Sequence, residues 1–466
     1  MDRYDRQRGI PGWSQERLAQ AFVVVVGADL LGQLIALGLA CLGVGRIGIV
    51  DSAWTQTGRT RDMLRLLGRG QQPRAPQLTQ LVKKVNPEIR VFGQRVRLLY
   101  EECFRLLPTP SLVIEASADP ISKYACLRYS QKWCVPVIFG AASPTEGRLS
   151  VHLWGREHPL SEEEYCLPSF SGQQQDVVTA MFIAGLALEE ARKILMPLDE
   201  RDQPISQMLI YNRQSKNRFD ADRDYTVTGG AYGGDCLLVG AGALGNWLGI
   251  ALVLSGVRRL TIVDYDQIEG HNLNRQVLFY EAVGQAKAPE LARKLHKLNA
   301  SVECVALVER VSAAYFQSHQ PDLIFSAVDN FAARALLSRI AVRCQLALID
   351  GGTSPYGGQV MVYRPGDTAC LNCQGRIEYL AEQERREGRD RQSCAQAPEP
   401  SVVMPNMIIA ALMAGEAGAV LRPDAYGPPV RGTLGYSASL PSRLGLHSVK
   451  EPCSCERIFA AEEATV

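Results

Sequence analysis

The sequence predicts an α/β protein made of two tandem copies of one unit, each with a doubly wound, mainly parallel sheet. The first observation behind this is an internal repeat. AFVVVVGADLLGQLIALGLACLGVGRIGIVD, ending at Asp51, is echoed by GDCLLVGAGALGNWLGIALVLSGVRRLTIVD, ending at Asp264. Gly27 aligns with Gly240 and Asn86 with Asn299 at one constant offset without a gap, and Arg3-Tyr-Asp-Arg-Gln7 is echoed by Tyr211-Asn-Arg-Gln214. A period this long describes a fused pseudo-dimer, not a solenoid, with units expected at 1–205 and 206–466. The second observation is the order of strand, tight turn, helix and strand inside each copy, which implies a parallel sheet covered on both faces.

Taken in order, residues 23–26 and 236–239 are short apolar or β-branched runs that stop at glycine, as buried strands do. Residues 30–42 and 244–254 follow with helical spacing, and 46–50 and 259–263 form the next strand. Arg364-Pro-Gly-Asp reads as a surface turn. Residues 378–391 are charged and interrupted by a glycine; they read as a mobile crossover, or else as a solvated helix. Residues 404–421 read as an apolar helix.

Hydrophobic residues at 46% and charged residues at 21% of the 466 are enough for real cores and exclude disorder as the main state. Lys+Arg 50 against Asp+Glu 49 gives a net charge of +1, which argues against nucleic acid or an anionic membrane as partner. The start, MDRYDRQRG, has no apolar signal stretch. The apolar stretches 21–50 and 406–421 are broken by Asp29, Gln33, Arg46 and Glu416, so no membrane span is expected. A cytoplasmic protein with reduced thiols fits the thirteen cysteines. Cys41, Cys126, Cys236 and Cys344 lie in or beside apolar runs. Two groups stand apart: Cys370-Leu-Asn-Cys373 with Cys453-Ser-Cys455, and Cys394 in a charged, proline-bearing stretch.

Gly240-Ala-Gly242-Ala-Leu-Gly245 follows a strand and opens a helix. Glycines there let a phosphate approach the backbone, and the helix start supplies N–H donors and positive dipole. Asp264 can accept from ribose hydroxyls. This much is a Rossmann-like fingerprint that a dehydrogenase would share. Asp266 belongs to the same candidate site, and Asn272, Arg275 and Lys287 then add amide and cationic groups suited to a triphosphate. Asp329, ending a further apolar strand, suits Mg²⁺, which binds through one carboxylate, phosphate oxygens and water. No Walker-type G-x-x-x-x-G-K-[ST] occurs.

With these motifs the sequence resembles the ubiquitin-activating (E1-like) enzymes and the bacterial sulfur-carrier adenylyltransferases over essentially its whole length. The resemblance rests on Arg-Tyr-Asp-Arg-Gln at 3–7, the glycine turn at 240–245, the Asp264…Asn272…Arg275 spacing, Gly-Gln-Ala-Lys287 and Asp329-Asn330. It implies two adenylation units and ATP·Mg²⁺-dependent adenylation of the C-terminal glycine of a ubiquitin-like protein. Asp264 would hold ribose, Asn272, Arg275 and Lys287 phosphates, and Asp329 magnesium, with Arg6 reaching across from the first copy as an arginine finger.

The first copy departs from the pattern. Its turn reads Gly27-Ala-Asp29-Leu-Leu-Gly32, with a carboxylate where phosphate should approach. Arg59 and Asp62 stand where Asn272 and Arg275 would be matched, although Arg59 and Arg61 leave positive charge nearby. Asp119 reads as an echo of Asp329. The first copy is therefore expected to be catalytically silent.

The four thiols Cys370, Cys373, Cys453 and Cys455 suit a closed, structural zinc site. The family places cysteine pairs at similar positions, though the C-x-C spacing of the second pair is tighter than usual. A redox dithiol is the alternative. For Cys394, Arg385, Arg386, Arg389 and Arg391 supply a field that favours thiolate, and the resemblance puts the family's thioester-forming cysteine in this loop. The implied partners are a ubiquitin-like protein with a C-terminal glycine and an E2-like conjugating enzyme, with further dimerisation possible. A compact bacterial conjugation operon, for example in antiviral defence, is the implied setting. The alternative is a sulfur-carrier or peptide-tailoring adenylyltransferase with no conjugating enzyme.

Overall fold

The computed structural model describes residues 2–55, 62–68, 70–155, 160–166, 175–388, 399–439, 444–448, 453 and 455. The chain divides into two compact units. The first comprises Met1–Arg223, Glu269–Val283 and Pro400–Ile408; the second comprises Asp224–Ile268, Gly284–Glu399 and Ile409–Val466. This differs from a division into 1–205 and 206–466. The first unit runs on past residue 205 because a strand at Leu209–Asn212 completes its sheet, and it takes in two segments of the second repeat.

In the first unit a short helix α1 (Asp5–Arg8) precedes β1 (Phe22–Val26), α2 (Leu30–Leu42), β2 (Arg46–Val50), α3 (Arg74–Val85), β3 (Arg90–Gln94) and β4 (Leu112–Glu115). Then come α4 (Pro120–Trp133), β5 (Val137–Ala142), β6 (Glu146–His152), α5 (Val177–Leu195) and β7 (Leu209–Asn212). The sheet order is β3-β2-β1-β4-β5-β6-β7. The first five strands are parallel, and β6 and β7 are antiparallel. Phe-Val-Val-Val-Val forms the central strand because β-branched side chains pack on both faces of a covered sheet, and all five are buried. Gly43, at φ +78°, ends α2 in the left-handed conformation that favours glycine.

The second unit repeats the plan: β8 (Asp235–Val239), α6 (Ala243–Ser255), β9 (Arg259–Val263), α7 (Lys287–Leu298), β10 (Glu303–Leu307), β11 (Leu323–Ser326), α8 (Phe331–Arg343) and β12 (Leu348–Ser354). It continues with β13 (Gly357–Tyr363), α9 (Leu371–Gly375), α10 (Ile377–Arg386), α11 (Val403–Leu421), β14 (Gly432–Ser437) and β15 (Leu444–Ser448). The order is β10-β9-β8-β11-β12-β13-β14-β15, with β10 to β12 parallel and the last three strands antiparallel. The chain is thus a tandem α/β protein whose parallel cores extend into antiparallel margins.

Two expectations need adjustment. Residues 377–386 are a helix rather than a mobile crossover: Arg339 pairs with Glu378 at 2.7 Å, and Glu384 accepts the Phe331 N–H at 2.8 Å. No helix breaker stands in that stretch before Gly388, and Glu382 pairs with Arg386 one turn on at 2.8 Å. Residues 389–391 lie outside the described ones. Among the described residues, α11 is the one helix long and apolar enough to cross a membrane. Of its most apolar 18 residues 94% are buried in the protein, as in a core helix, and its Glu416 accepts the Val430 N–H at 2.8 Å.

The glycine turns recur with nearly the same geometry: φ is +97° at Gly27 and +99° at Gly240. A Cβ on Gly245 would stand 1.9 Å from the Gly240 carbonyl oxygen, a backbone atom that cannot yield cheaply. Gly245→Ala should therefore cost about 3 kcal/mol or more. Gly249→Ala, whose Cβ would meet the movable Leu295 Cδ1 at 2.8 Å, should cost less. Urea unfolding midpoints of the two variants check the order.

Candidate functional site

In the second unit, β8 runs into the left-handed Gly240, and Gly242 is the N-cap of α6. A Cβ on Gly242 would meet nothing within 4 Å, so packing does not demand glycine there. What the bare backbone leaves open is the space before the first N–H groups of α6, where an anion can sit. Asp264, just past β9, accepts from Ala241 N at 2.6 Å and Asp266 N at 2.8 Å. Burial pushes its carboxyl up, against the pull of Lys287 and these two donors. Lys287, buried at the start of α7, donates to the Asp266 carboxylate at 2.7 Å.

Past β11, Asp329 is exposed, and Asn330 caps α8 by accepting from Ala333 N at 2.8 Å. Gly240, Gly242, Gly245, Asp264, Asp266, Lys287 and Asp329 thus all lie in the second unit, just past the C-terminal ends of β8, β9 and β11 or at the α7 start. In open α/β sheets that edge is where ligands bind. An exposed carboxylate with room for water and phosphate oxygens suits magnesium. The sequence reading missed Arg310, whose guanidinium lies 4.6 Å from the ring of Tyr265 beside these acids. It follows β10, outside any motif.

Arg6, Asn272 and Arg275 belong to the first unit. The Arg6 Nη2 is 3.5 Å from His271 Nε2, and its carbonyl accepts from Ser401 N at 3.1 Å. Asn272 Oδ1 accepts from Glu269 N at 3.0 Å. Arg275, buried, donates to the His271 carbonyl at 2.8 Å and to Asn274 Oδ1 at 2.6 Å. Asn274 in turn donates to Gln7 Oε1 at 3.1 Å. The segment holding Asn272 and Arg275 is therefore built around the helix that carries Arg6.

The first unit keeps the frame and replaces the site. Asp51 accepts from Ala28 N at 2.6 Å, as Asp264 does from Ala241. Asp29 stands where the second copy has Gly242, and Arg74, opening α3, stands where Lys287 opens α7. The two form an ion pair. Burial pushes the Asp29 carboxyl up, with Arg74 pulling the other way. Asp29 is thus more than a repulsive charge: it takes the cation a phosphate would use. The Leu31 N–H near the start of α2 donates to Gln175 Oε1 at 2.8 Å, and Arg213, the echo of Arg6, pairs with Asp176 at 2.9 Å.

Asp119 is not the counterpart of Asp329. It caps α4 through Ile121 N, as Asn330 caps α8, and it holds Arg97 at 2.9 and 3.0 Å; Ala118 stands at the Asp329 position. Asp62 caps the Met63–Leu67 turn, and Arg59 and Arg61 lie outside the described residues.

Cys370, Cys373, Cys453 and Cys455 place their sulfurs within 4.8 Å of one another. Cys373 and Cys455 are 3.5 Å apart, and Cys370 N donates to Cys453 Sγ at 3.3 Å. Tetrahedral sulfurs about 2.3 Å from one ion need separations of this size. The tight Cys453-x-Cys455 spacing is no obstacle, and the cluster can hold a metal ion. Cys394, with Arg389 and Arg391, lies outside the described residues.

A glycine turn, a strand-end acid and a basic residue at the next helix start define a nucleotide-binding α/β protein. A family model described as the ThiF family matches residues 4–224 and again 233–452. The chain belongs to the ThiF family, in the superfamily of E1-like adenylyltransferases, and carries its domain twice.

It is similar to SUMO-activating enzyme subunit 2 of Dictyostelium discoideum, 39% identical over 142 residues, 30% of this chain and 22% of that protein. It is similar to adenylyltransferase and sulfurtransferase MOCS3 of Bos taurus, 38% identical over 140 residues, 29% of this chain and 31% of that protein. The matches thus span less than a third of these relatives' length. A solved structure of E. coli MccB with ATP aligns with TM-score 0.39 and 23% identity, over 47% of this chain and 65% of that chain.

Glu115, which occupies in β4 the place of Ser326 in β11, is fully buried, and its Oε2 receives no hydrogen bond among the described residues. Burial pushes its carboxyl up to about 7, against the attraction of Lys123. The native state then takes up a proton that the unfolded carboxyl binds only near its ordinary 4.5. Wild-type stability should therefore gain on the order of 1–3 kcal/mol relative to Glu115→Gln as pH falls from 8 to 5. Unfolding of both proteins across that range measures it.

Proposed function

We propose that this protein adenylates the C-terminal glycine of a ubiquitin-like protein with ATP, then carries the acyl group as a thioester on Cys394 for an E2-like enzyme. The observation that carries the adenylation step is the contrast between copies. The second leaves the space at Gly242 open beside Asp264 and Lys287, and the first fills the same place with Asp29 and Arg74. Family membership and the similarity to a SUMO-activating enzyme subunit support the same reading.

In this reading Asp264 holds the ribose and the α6 N–H groups and Lys287 the phosphates. Lys287 exchanges its Asp266 partner for phosphate oxygen. Asn272 adds an amide donor, and Arg275 and Arg6 add positive charge, as their motif positions imply. A carboxylate oxygen of the terminal glycine bonds to the α-phosphorus, the bond to the β-phosphate bridge breaks, and pyrophosphate leaves. The Cys394 thiolate then attacks the acyl carbon and AMP departs with the bonding electrons. Rate enhancement comes from charge neutralisation and in-line positioning. Asp329 would hold magnesium, which supplies further screening of phosphate charge when bound. The four cysteines would hold zinc, which fastens the residues around Cys453 to those around Cys370.

A second reading ends at the adenylate, without a thioester or a conjugating enzyme; the similarity to MOCS3 favours it. With the natural carrier protein supplied, ATP–pyrophosphate exchange should be present in wild type. It should fall about 100-fold or more in Lys287→Ala and Asp329→Ala. Bound nucleotide should reach one per chain. Cys394→Ala should keep the exchange and lose a thiol-sensitive adduct; an adduct that survives it refutes the thioester on Cys394. Metal analysis should give about one zinc per chain, lost in Cys453→Ser; a protein free of zinc refutes that site.

A further inference from the structure

The geometry points to Arg334 as a positioning residue that fixes the loop carrying Asp329, an inference that rests on the reading of Asp329 as the metal carboxylate. Arg334 lies in the first turn of α8 and is buried. Its guanidinium reaches three acceptors on two segments of the second unit. Nη1 donates to the Asp350 carboxylate at 3.0 Å; Nη2 donates to the Val328 carbonyl at 3.0 Å and the Gly351 carbonyl at 2.9 Å. Asp350, on β12, is fully buried and also accepts from Ser326 Oγ at 2.6 Å. A Cβ on Gly352 would stand 2.9 Å from Nη1, so the bare backbone of β12 leaves room for the planar group.

Val328 is the residue immediately before Asp329. Its carbonyl is thus tied through a rigid, branched donor to the adjacent strand, and the direction of the next side chain is set by that tie. The other end of the loop is fastened too, because Glu384 on α10 accepts the Phe331 N–H at 2.8 Å. An exposed carboxylate that must meet an octahedral ion needs such a frame, since magnesium tolerates little deviation in geometry.

The internal repeat supplies a control. In strand register Ser326 pairs with Asp350, and Glu115 pairs with Phe139 at the matching place in the first unit. There the residue at the Arg334 position is Lys123, the buried acid is Glu115, and the position of Asp329 is Ala118. The copy without the carboxylate lacks the guanidinium as well. A buried cation near a buried acid is kept in both copies, so that pairing does not depend on the carboxylate at position 329. The branched guanidinium occurs only beside Asp329.

Arg334→Ala would leave Asp350 buried without its cation and is a poor test. Arg334→Lys keeps the charge and matches the residue the first unit carries at that place. In the full chain, Arg334→Lys should fold. It should raise hydrogen–deuterium exchange across residues 327–331, and in the presence of a non-hydrolysable ATP analogue it should weaken Mn²⁺ binding, read by electron paramagnetic resonance, about ten-fold or more. Added to Asp329→Asn, it should weaken Mn²⁺ no further. Unchanged exchange at 327–331, or a loss of Mn²⁺ affinity that adds fully to that of Asp329→Asn, overturns the assignment. A wild-type protein that binds no Mn²⁺ with the analogue refutes the metal reading of Asp329. The exchange measurement still decides whether Arg334 holds the loop.

Discussion

One hydrogen bond organises each unit: a backbone N–H inside the glycine turn donates to the carboxylate that ends the next strand, Ala28 to Asp51 and Ala241 to Asp264, both at 2.6 Å. It ties the end of one parallel strand to the start of the helix that follows its neighbour. To reach that geometry the chain must pass through a left-handed residue and bring two backbones almost into contact, which only glycine permits. The helix start is thereby aimed at the sheet edge with its N–H groups outward. Because this bond serves the fold, both copies retain it, and the strand-end acid alone does not distinguish them.

What separates the copies is the arrangement of charge around that frame. In the first unit three groups at the places a polyphosphate would contact are satisfied from within: Arg74 by Asp29, the start of α2 by Gln175, Arg213 by Asp176. The difference is spread over several residues, and reversing any one of them leaves the others in place. In the second unit the same positions are open at Gly242 or held by an ion pair with a half-exposed acid, Asp266, that an incoming phosphate can displace.

The parallel cores were legible because β-branched runs bounded by glycine have few other solutions, and the apolar helices after each turn fell within a residue or two of their observed limits. The antiparallel strands β6, β7 and β13 to β15 were less so: Ser143-Pro144 and Ser354-Pro355 mark turns before β6 and β13, but those strands are mostly buried and lack the clean apolar–polar alternation of a half-exposed strand. The cysteine cluster could be read despite the irregular spacing, because soft ligands in number are a strong signal. Arg74 escaped notice as the partner of Lys287, since Gln-Pro-Arg and Gln-Ala-Lys share little beyond position. Asp119 misled for the opposite reason: an acid after an alanine looked like Asp329, and only the strand register and the capping hydrogen bond show it to match Asn330. Arg334 and Glu384 act on backbone atoms of other segments, which no linear motif reveals.

The repeat in the sequence and the compact units of the fold do not coincide. Gly185 on α5 lies where a Cβ would stand 2.6 Å from Ile408 Cγ1, so the last piece of the first unit's interior is encoded more than two hundred residues after the helix it meets. On a ribosome emitting the chain from its amino end, that helix must wait with part of its apolar surface uncovered until more than two hundred further residues have been made. Duplication and fusion have here produced halves that can no longer mature one after the other.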